Sequence, residues 1–241
     1  MKENEIIILG LDTTSKECSL CIVSNNKVLT EYRFISDNNL SSRIIEILDF
    51  VLKGVNLTIE DIDVYGVGIG PGIFTGIRVG MTTVKGLVFG RRTQVIPVSA
   101  LDAMATNYKK NNSPIVSIVD AKRGQVYISV CEYSKKNDDF SIIYEPSLIS
   151  ILNIENILDK NQKYIFVGSG VTNNIELLKD IFTKSDCFVD SKFLAYQVAQ
   201  IAYKEFKAGN GETNIERVNP LYIRRTDAEE NYERDNKKGK K

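Results

Sequence analysis

Short apolar runs separated by polar turns open the chain. Residues 6–12, 18–23 and 27–34 read as strands joined by the turns 13–17 and 24–26. Three strands on such short connections form an antiparallel meander. The period then changes. Leu40, Ile44, Ile45, Leu48, Val51 and Leu52 recur at helical spacing, and Ile47 adds a second apolar flank. A helix over residues 40–52 must therefore bury more than one side, and one flank calls for a partner beyond its own sheet. Residues 64–69 form an apolar run ending in a glycine loop, 75–89 a helix and 94–98 a strand. Ser99-x-x-Asp102 resembles a capping box opening a helix over residues 100–109.

The pattern restarts at Ile115. Residues 115–120 read as a strand ending in aspartate, 121–124 as a turn, and 125–133 as a strand of alternating polarity. After the turn 137–139 come a short strand, 141–144, and a helix from Ser147 to 158. A strand over 164–167 leads into Gly168-Ser169-Gly170. Thr172 caps a helix ending at 182, residues 188–189 form a short strand, and Ser191 caps a last helix, 192–208. Both halves run strand ending in Asp, polar turn, strand, strand, then alternating helix and strand. The expectation is a duplicated α/β lobe: residues 1–100, residues 101–208 with the last helix packing back on the first lobe, and a C-terminal segment with a basic tail, 209–241.

Composition narrows the function. Lys+Arg and Asp+Glu are both 31, a formal net charge of zero. A chain holding RNA by itself would carry a basic stripe, and the only basic cluster is the tail 234–241. That tail reads as a solvated end, with a weak RNA contact as the alternative. The opening residues are polar and the apolar run behind them is too short for a signal core or a membrane span, so the expected location is the cytoplasm. Histidine is absent altogether. That removes Ser-His triads, His-based zinc sites and a histidine general base. Cys18 and Cys21 form a C-x-x-C on paper, but residues three apart on a strand point to opposite faces. They read as core residues.

Three places remain as candidate chemistry. Asp12 and Asp120 sit at hairpin mouths facing a cleft between the lobes, and Thr13 and Thr14 suit a phosphate-binding turn. Gly168 and Gly170 could let a purine approach the backbone. The second turn, Lys122-Arg123-Gly124, is bulkier and poorer for phosphate. The third place is the segment Gly68-Ile69-Gly70-Pro71-Gly72-Ile73-Phe74-Thr75-Gly76-Ile77-Arg78-Val79-Gly80. A dinucleotide fingerprint needs an acid about 20 residues on, and no Asp or Glu lies between Asp63 and Asp102. A Walker loop fails for want of Gly-Lys-Ser/Thr. Packing is left. Gly72, Gly76 and Gly80 recur every four residues, and each helix glycine costs about 1 kcal/mol against alanine. Close approach at that surface is the expected return.

The segments 8–15, 67–90, 97–101, 120–127 and 220–224 together resemble the bacterial TsaB family over nearly the whole chain. The resemblance implies a two-lobed actin/Hsp70-like (ribonuclease-H-like duplicated) α/β fold. It implies a non-catalytic dimerization subunit of the tRNA threonylcarbamoyladenosine machinery, docking on the transferase subunit TsaD, working with the ATPase TsaE and meeting tRNA only through the complex. ATP and metal belong to the partner, with nucleotide at the interface as a further expectation, and a homodimer is expected in isolation. The helices after the meander and after the glycine loop form the family's subunit contact. That gives Leu40, Ile44, Ile47, Leu48, Val51, Gly76, Ile77, Gly80, Met81 and Val84 as interface residues. Gly80→Arg or Ile44→Glu should then abolish docking and leave the fold intact. The family's usual histidine before the first long helix is missing from residues 37–42. The rival reading is a stand-alone ATP-binding kinase or ATPase of the same fold.

Overall fold

The computed structural model describes residues 5–36, 39–109, 111–185 and 187–223. Asp37, Asn38 and the basic tail lie outside them. The first lobe contains β1 (Ile7–Asp12), β2 (Glu17–Ser24), β3 (Lys27–Ile35), α1 (Leu40–Gly54), β4 (Val64–Gly70), α2 (Phe74–Val88) and β5 (Gln94–Ser99). The meander pairs antiparallel, with Ile7 opposite Ser24 and Asp12 opposite Ser19, while β4 and β5 join in parallel. The strand order is β3-β2-β1-β4-β5.

A short helix, α3 (Ala100–Thr106), leads into the second lobe: β6 (Ile115–Asp120), β7 (Gln125–Ser134), β8 (Asp139–Ser150), β9 (Ile165–Val167), α4 (Ser169–Asn173), α5 (Ile175–Ile181), β10 (Cys187–Val189) and α6 (Ala195–Lys207). Its sheet has the order β10-β9-β6-β7-β8, the same plan as the first. This is the duplicated actin/Hsp70-like arrangement.

Three cores stack in layers. The outer face of the first sheet is covered by α1 and α2, through Leu9, Leu11, Ile44, Leu48, Ile77 and Met81. The outer face of the second is covered by α4, α5 and the 3₁₀ turn Ile151–Asn156, around Phe166 and Phe182. Between the sheets lies a core that draws on Ile8 and Val64 from one lobe, Ile115 and Val167 from the other, and α3 and α6. The last helix therefore packs against the first sheet. A Cβ on Gly10 would lie 2.3 Å from the Ala195 carbonyl oxygen, so only glycine allows the contact. Ser19 Oγ accepts from the Ala195 amide at 3.0 Å and satisfies one free donor of the first turn of α6. Cys18 joins the outer core and Cys21 the central one, on opposite faces of β2. Burial, first of all, pushes each thiol up to about 12.

Three elements differ from the sequence reading. The helix expected from Ser147 is instead the end of β8, where Leu148 pairs with Tyr127 and Ser150 with Gln125. Ser147 Oγ bonds back to the Glu145 carbonyl rather than capping a helix. The helix expected over 172–182 breaks at Asn174, whose side-chain amide donates to the Gly170 carbonyl at 2.8 Å. The last helix begins at Ala195 because Phe193 has φ +58°, which no helix tolerates.

Candidate docking face

The β1–β2 turn and the start of α2 are built against each other. Asp12 Oδ1 accepts from the Thr14 amide at 3.2 Å and from Thr14 Oγ1 at 2.8 Å, which sets the turn. Thr13 Oγ1 donates to the Gly76 carbonyl at 2.8 Å, and the Ile73 amide donates to the Thr14 carbonyl at 2.7 Å. A Cβ on Gly72 would meet the Thr14 carbonyl oxygen at 2.1 Å, one on Gly76 the Thr13 carbonyl oxygen at 2.1 Å, and one on Gly80 Thr13 Oγ1 at 2.2 Å. The glycine stripe is thus consumed inside the lobe. It lets α2 lie down on the first turn and offers nothing to a second molecule.

The same correction applies to the apolar stripes. Leu40, Ile44, Ile47, Leu48 and Val51 on α1, and Ile77, Met81 and Val84 on α2, are buried with Gly76 and Gly80 against the lobe's own sheet. All ten residues named from the sequence point inward. The opposite faces of the two helices enclose an open groove of about 550 Å3. Ser41 and Ile45 line it from α1, and Arg78, Val79, Thr82, Thr83, Gly86 and Leu87 from α2. Ile45 is 51% exposed, Phe50 on α1 is 66% exposed, and Phe89 just past α2 is 78% exposed. Ile45, grouped by its spacing with the apolar stripe, turns outward instead, and Phe50 falls outside that stripe.

At one end of the groove the C-terminal segment returns. Val218 enters the outer core, and the Leu221 amide donates to the Ile69 carbonyl at 2.9 Å. Tyr222 is thereby laid beside Phe74, with ring centroids 5.6 Å apart and planes at 30°. Sequence reasoning missed this cluster, because 144 residues separate Arg78 from Tyr222.

The nucleotide candidates are brought to the cleft but are largely engaged within the chain, Asp12 Oδ2 being a buried oxygen without a partner among the described residues. Asp12, Thr13 and Thr14 are buried. Desolvation raises the Asp12 pKa, opposed by its hydrogen bonds from Thr14. Asp120 is held by Lys122 Nζ at 2.6 Å, the Lys122 amide at 2.8 Å and Asn173 Nδ2 at 2.8 Å. Burial alone would raise its pKa; the Lys122 contacts and the Asn173 amide outweigh that and hold it below the usual value. A Cβ on Gly168 would sit 2.4 Å from the Ile118 carbonyl oxygen, and one on Gly170 2.4 Å from Ile118 Cγ2. Both glycines pack on β6 instead of opening a purine slot. The recess between Thr14, Pro71, Met104, Ser169 and Leu194 holds about 70 Å3. Small-molecule sites are several times larger, so these residues do not fit a nucleotide between the lobes. Among the described residues no group of three Cys, Asp or Glu could hold a metal ion, and no helix is long and apolar enough to cross a membrane.

A family model described as TsaD: tRNA N6-adenosine threonylcarbamoyltransferase matches residues 34–232. The tRNA threonylcarbamoyladenosine biosynthesis protein TsaB of Buchnera aphidicola subsp. Schizaphis graminum is 31% identical over 176 residues, covering 68% of this chain and 79% of the relative. The chain belongs to the TsaB family. The TsaB protein of Haemophilus influenzae matches at 27% identity over 228 residues, covering 91% of this chain and 94% of that one. A solved Pseudomonas aeruginosa structure, described as an uncharacterized protein with similarity to peptidase YEAZ, superposes with a TM-score of 0.75 at 20% identity, over 91% of this chain and all of the other. That likeness speaks to the fold alone.

Proposed function

We propose that this chain works in tRNA threonylcarbamoyladenosine biosynthesis as a non-catalytic subunit that docks on, and activates, the transferase subunit TsaD. The observation that carries the reading is the groove between α1 and α2, with Ile45 half-exposed on its wall. Fully burying a side chain such as Ile45 or Leu87 contributes about 1.5–3 kcal/mol, so a few apolar residues of this groove can anchor a complex. The partner's own build supports the choice. The family model that matches this chain over 34–232 is described as the transferase, and that span includes both helices. A partner carrying the same two helices can pair them with these about a quasi-twofold axis, as in a homodimer. The same face accounts for a homodimer in isolation.

Catalysis is assigned to the partner. This chain has no histidine, and its interlobe recess of about 70 Å3 gives the rival kinase or ATPase reading no room for ATP. ATP and metal therefore belong to TsaD and TsaE, and tRNA is met through the complex. Titrating the purified chain into TsaD from the same genome should give a saturable complex and raise threonylcarbamoyl transfer to tRNA, while the chain alone transfers nothing. Turnover of ATP by this chain alone, or an absence of any complex, would contradict the reading.

A further inference from the structure

Among the described residues the groove is lined by a single cation, Arg78, at one end, and it is held from two sides. Arg78 Cζ lies 3.9 Å from the centroid of the Phe74 ring, one helical turn earlier on α2. Its Nε donates to Tyr222 Oη at 3.3 Å. Phe74 and Tyr222 are themselves stacked, and Tyr222 is tethered through the Leu221–Ile69 backbone bond. The guanidinium is exposed and makes no ion pair among the described residues. The other groove residues, including Ser41, Ile45, Thr82 and Leu87, are uncharged.

A guanidinium fixed through Nε still has its two terminal amino groups free. These form a fork that matches a carboxylate in two parallel hydrogen bonds. Pinning the side chain beforehand also lowers the entropy lost on binding. We propose that Arg78, positioned by Phe74 and Tyr222, is a specificity-determining anchor of the docking face that takes an aspartate or glutamate side chain of the transferase subunit. This rests on the docking reading. A nucleic-acid phosphate fits less well, because a backbone track needs several cations and the described lining of this groove has one. The arrangement also gives the C-terminal segment a role. The strap at 218–223 presents the tyrosine that orients the arginine.

The test is calorimetric titration of TsaD with the full chain and its variants, at two salt concentrations. Arg78→Gln should weaken binding about 10- to 100-fold with an unchanged melting temperature. It should also lose most of the salt dependence shown by the wild-type chain. Arg78→Lys should fall between the two, keeping the charge but not the fork. Tyr222→Phe, which keeps the stack and removes the acceptor, should cost about 3- to 10-fold. If Arg78→Gln lowers the melting temperature, Arg78→Lys and Tyr222→Phe decide the matter by the same criteria. Binding by the Arg78 and Tyr222 variants within twofold of wild type, while Ile45→Glu abolishes it, overturns this inference and leaves the docking reading standing. Unaltered binding by Ile45→Glu as well overturns the docking reading. Normal TsaD affinity with weakened tRNA retention by Arg78→Gln would assign the arginine to phosphate and also overturn the inference.

Discussion

Thr13 Oγ1 donates a 2.8 Å hydrogen bond to the carbonyl of Gly76, and a Cβ on Gly80 one turn later would lie 2.2 Å from the same oxygen. This relationship decides what the glycine stripe is for. It welds α2 to the turn after β1, and so fixes how the outer face of α2 is presented.

Gly76→Ala should destabilise the chain by about 3 kcal/mol, since the new methyl meets the Thr13 carbonyl oxygen at 2.1 Å and backbone must move. Gly80→Ala should cost somewhat less, because a threonine side chain can rotate away. Chemical denaturation measures both. The Gly80→Arg and Ile44→Glu substitutions expected from the sequence to spare the fold should unfold it instead. Ile44 is only 1% exposed, and a charge there has no partner.

Gly86 behaves oppositely. Nothing lies within 4 Å of a Cβ built on it, and it lines the groove. Gly86→Ala should raise stability by about 0.5–1 kcal/mol through helix propensity. Its affinity for TsaD should fall if the partner packs closely there. A loss of stability in denaturant melts would count against the assignment of Gly86 to an open surface.

Asp102 gives a pH signature. It borders a recess of about 200 Å3 lined also by Ala105, Cys131, Phe140 and Ile201, and keeps access to solvent through it. Desolvation, and then the charge of Glu145, push its carboxyl up to about 6. The folded state therefore holds this proton more tightly than the unfolded chain. Its contribution to stability is present below about pH 4 and is lost as the pH rises through about 6. Relative to Asp102→Asn, the wild-type melting temperature should fall across that window. A constant difference between the two melts would contradict the shift.

Most strands and the antiparallel meander of the first three were legible because apolar runs closed by short polar turns leave few alternatives, whereas the order of the strands in each sheet comes from the structure. Residues 147–158 were misread because Ile151 and Ile154, three apart, suit a 3₁₀ turn as well as an α-helix. The two helices bordering the groove were legible as elements but not as faces. Periodicity marks which side of a helix is apolar, and says nothing about whether a sheet or a partner covers it. Leu40, Ile44 and Met81 are covered by the lobe, whereas Ile45 is left half-exposed. The glycines gave the same ambiguity, since small residues announce close contact without naming the neighbour.

The measurement that bears most directly on the account is the affinity of Ile45→Glu for TsaD, taken beside its melting curve. Ile45 is half-exposed on the groove wall, so the variant should melt like the wild-type chain and show no measurable binding. A correctly folded Ile45→Glu that binds TsaD as tightly as the wild-type chain would contradict the assignment of this groove as the docking face.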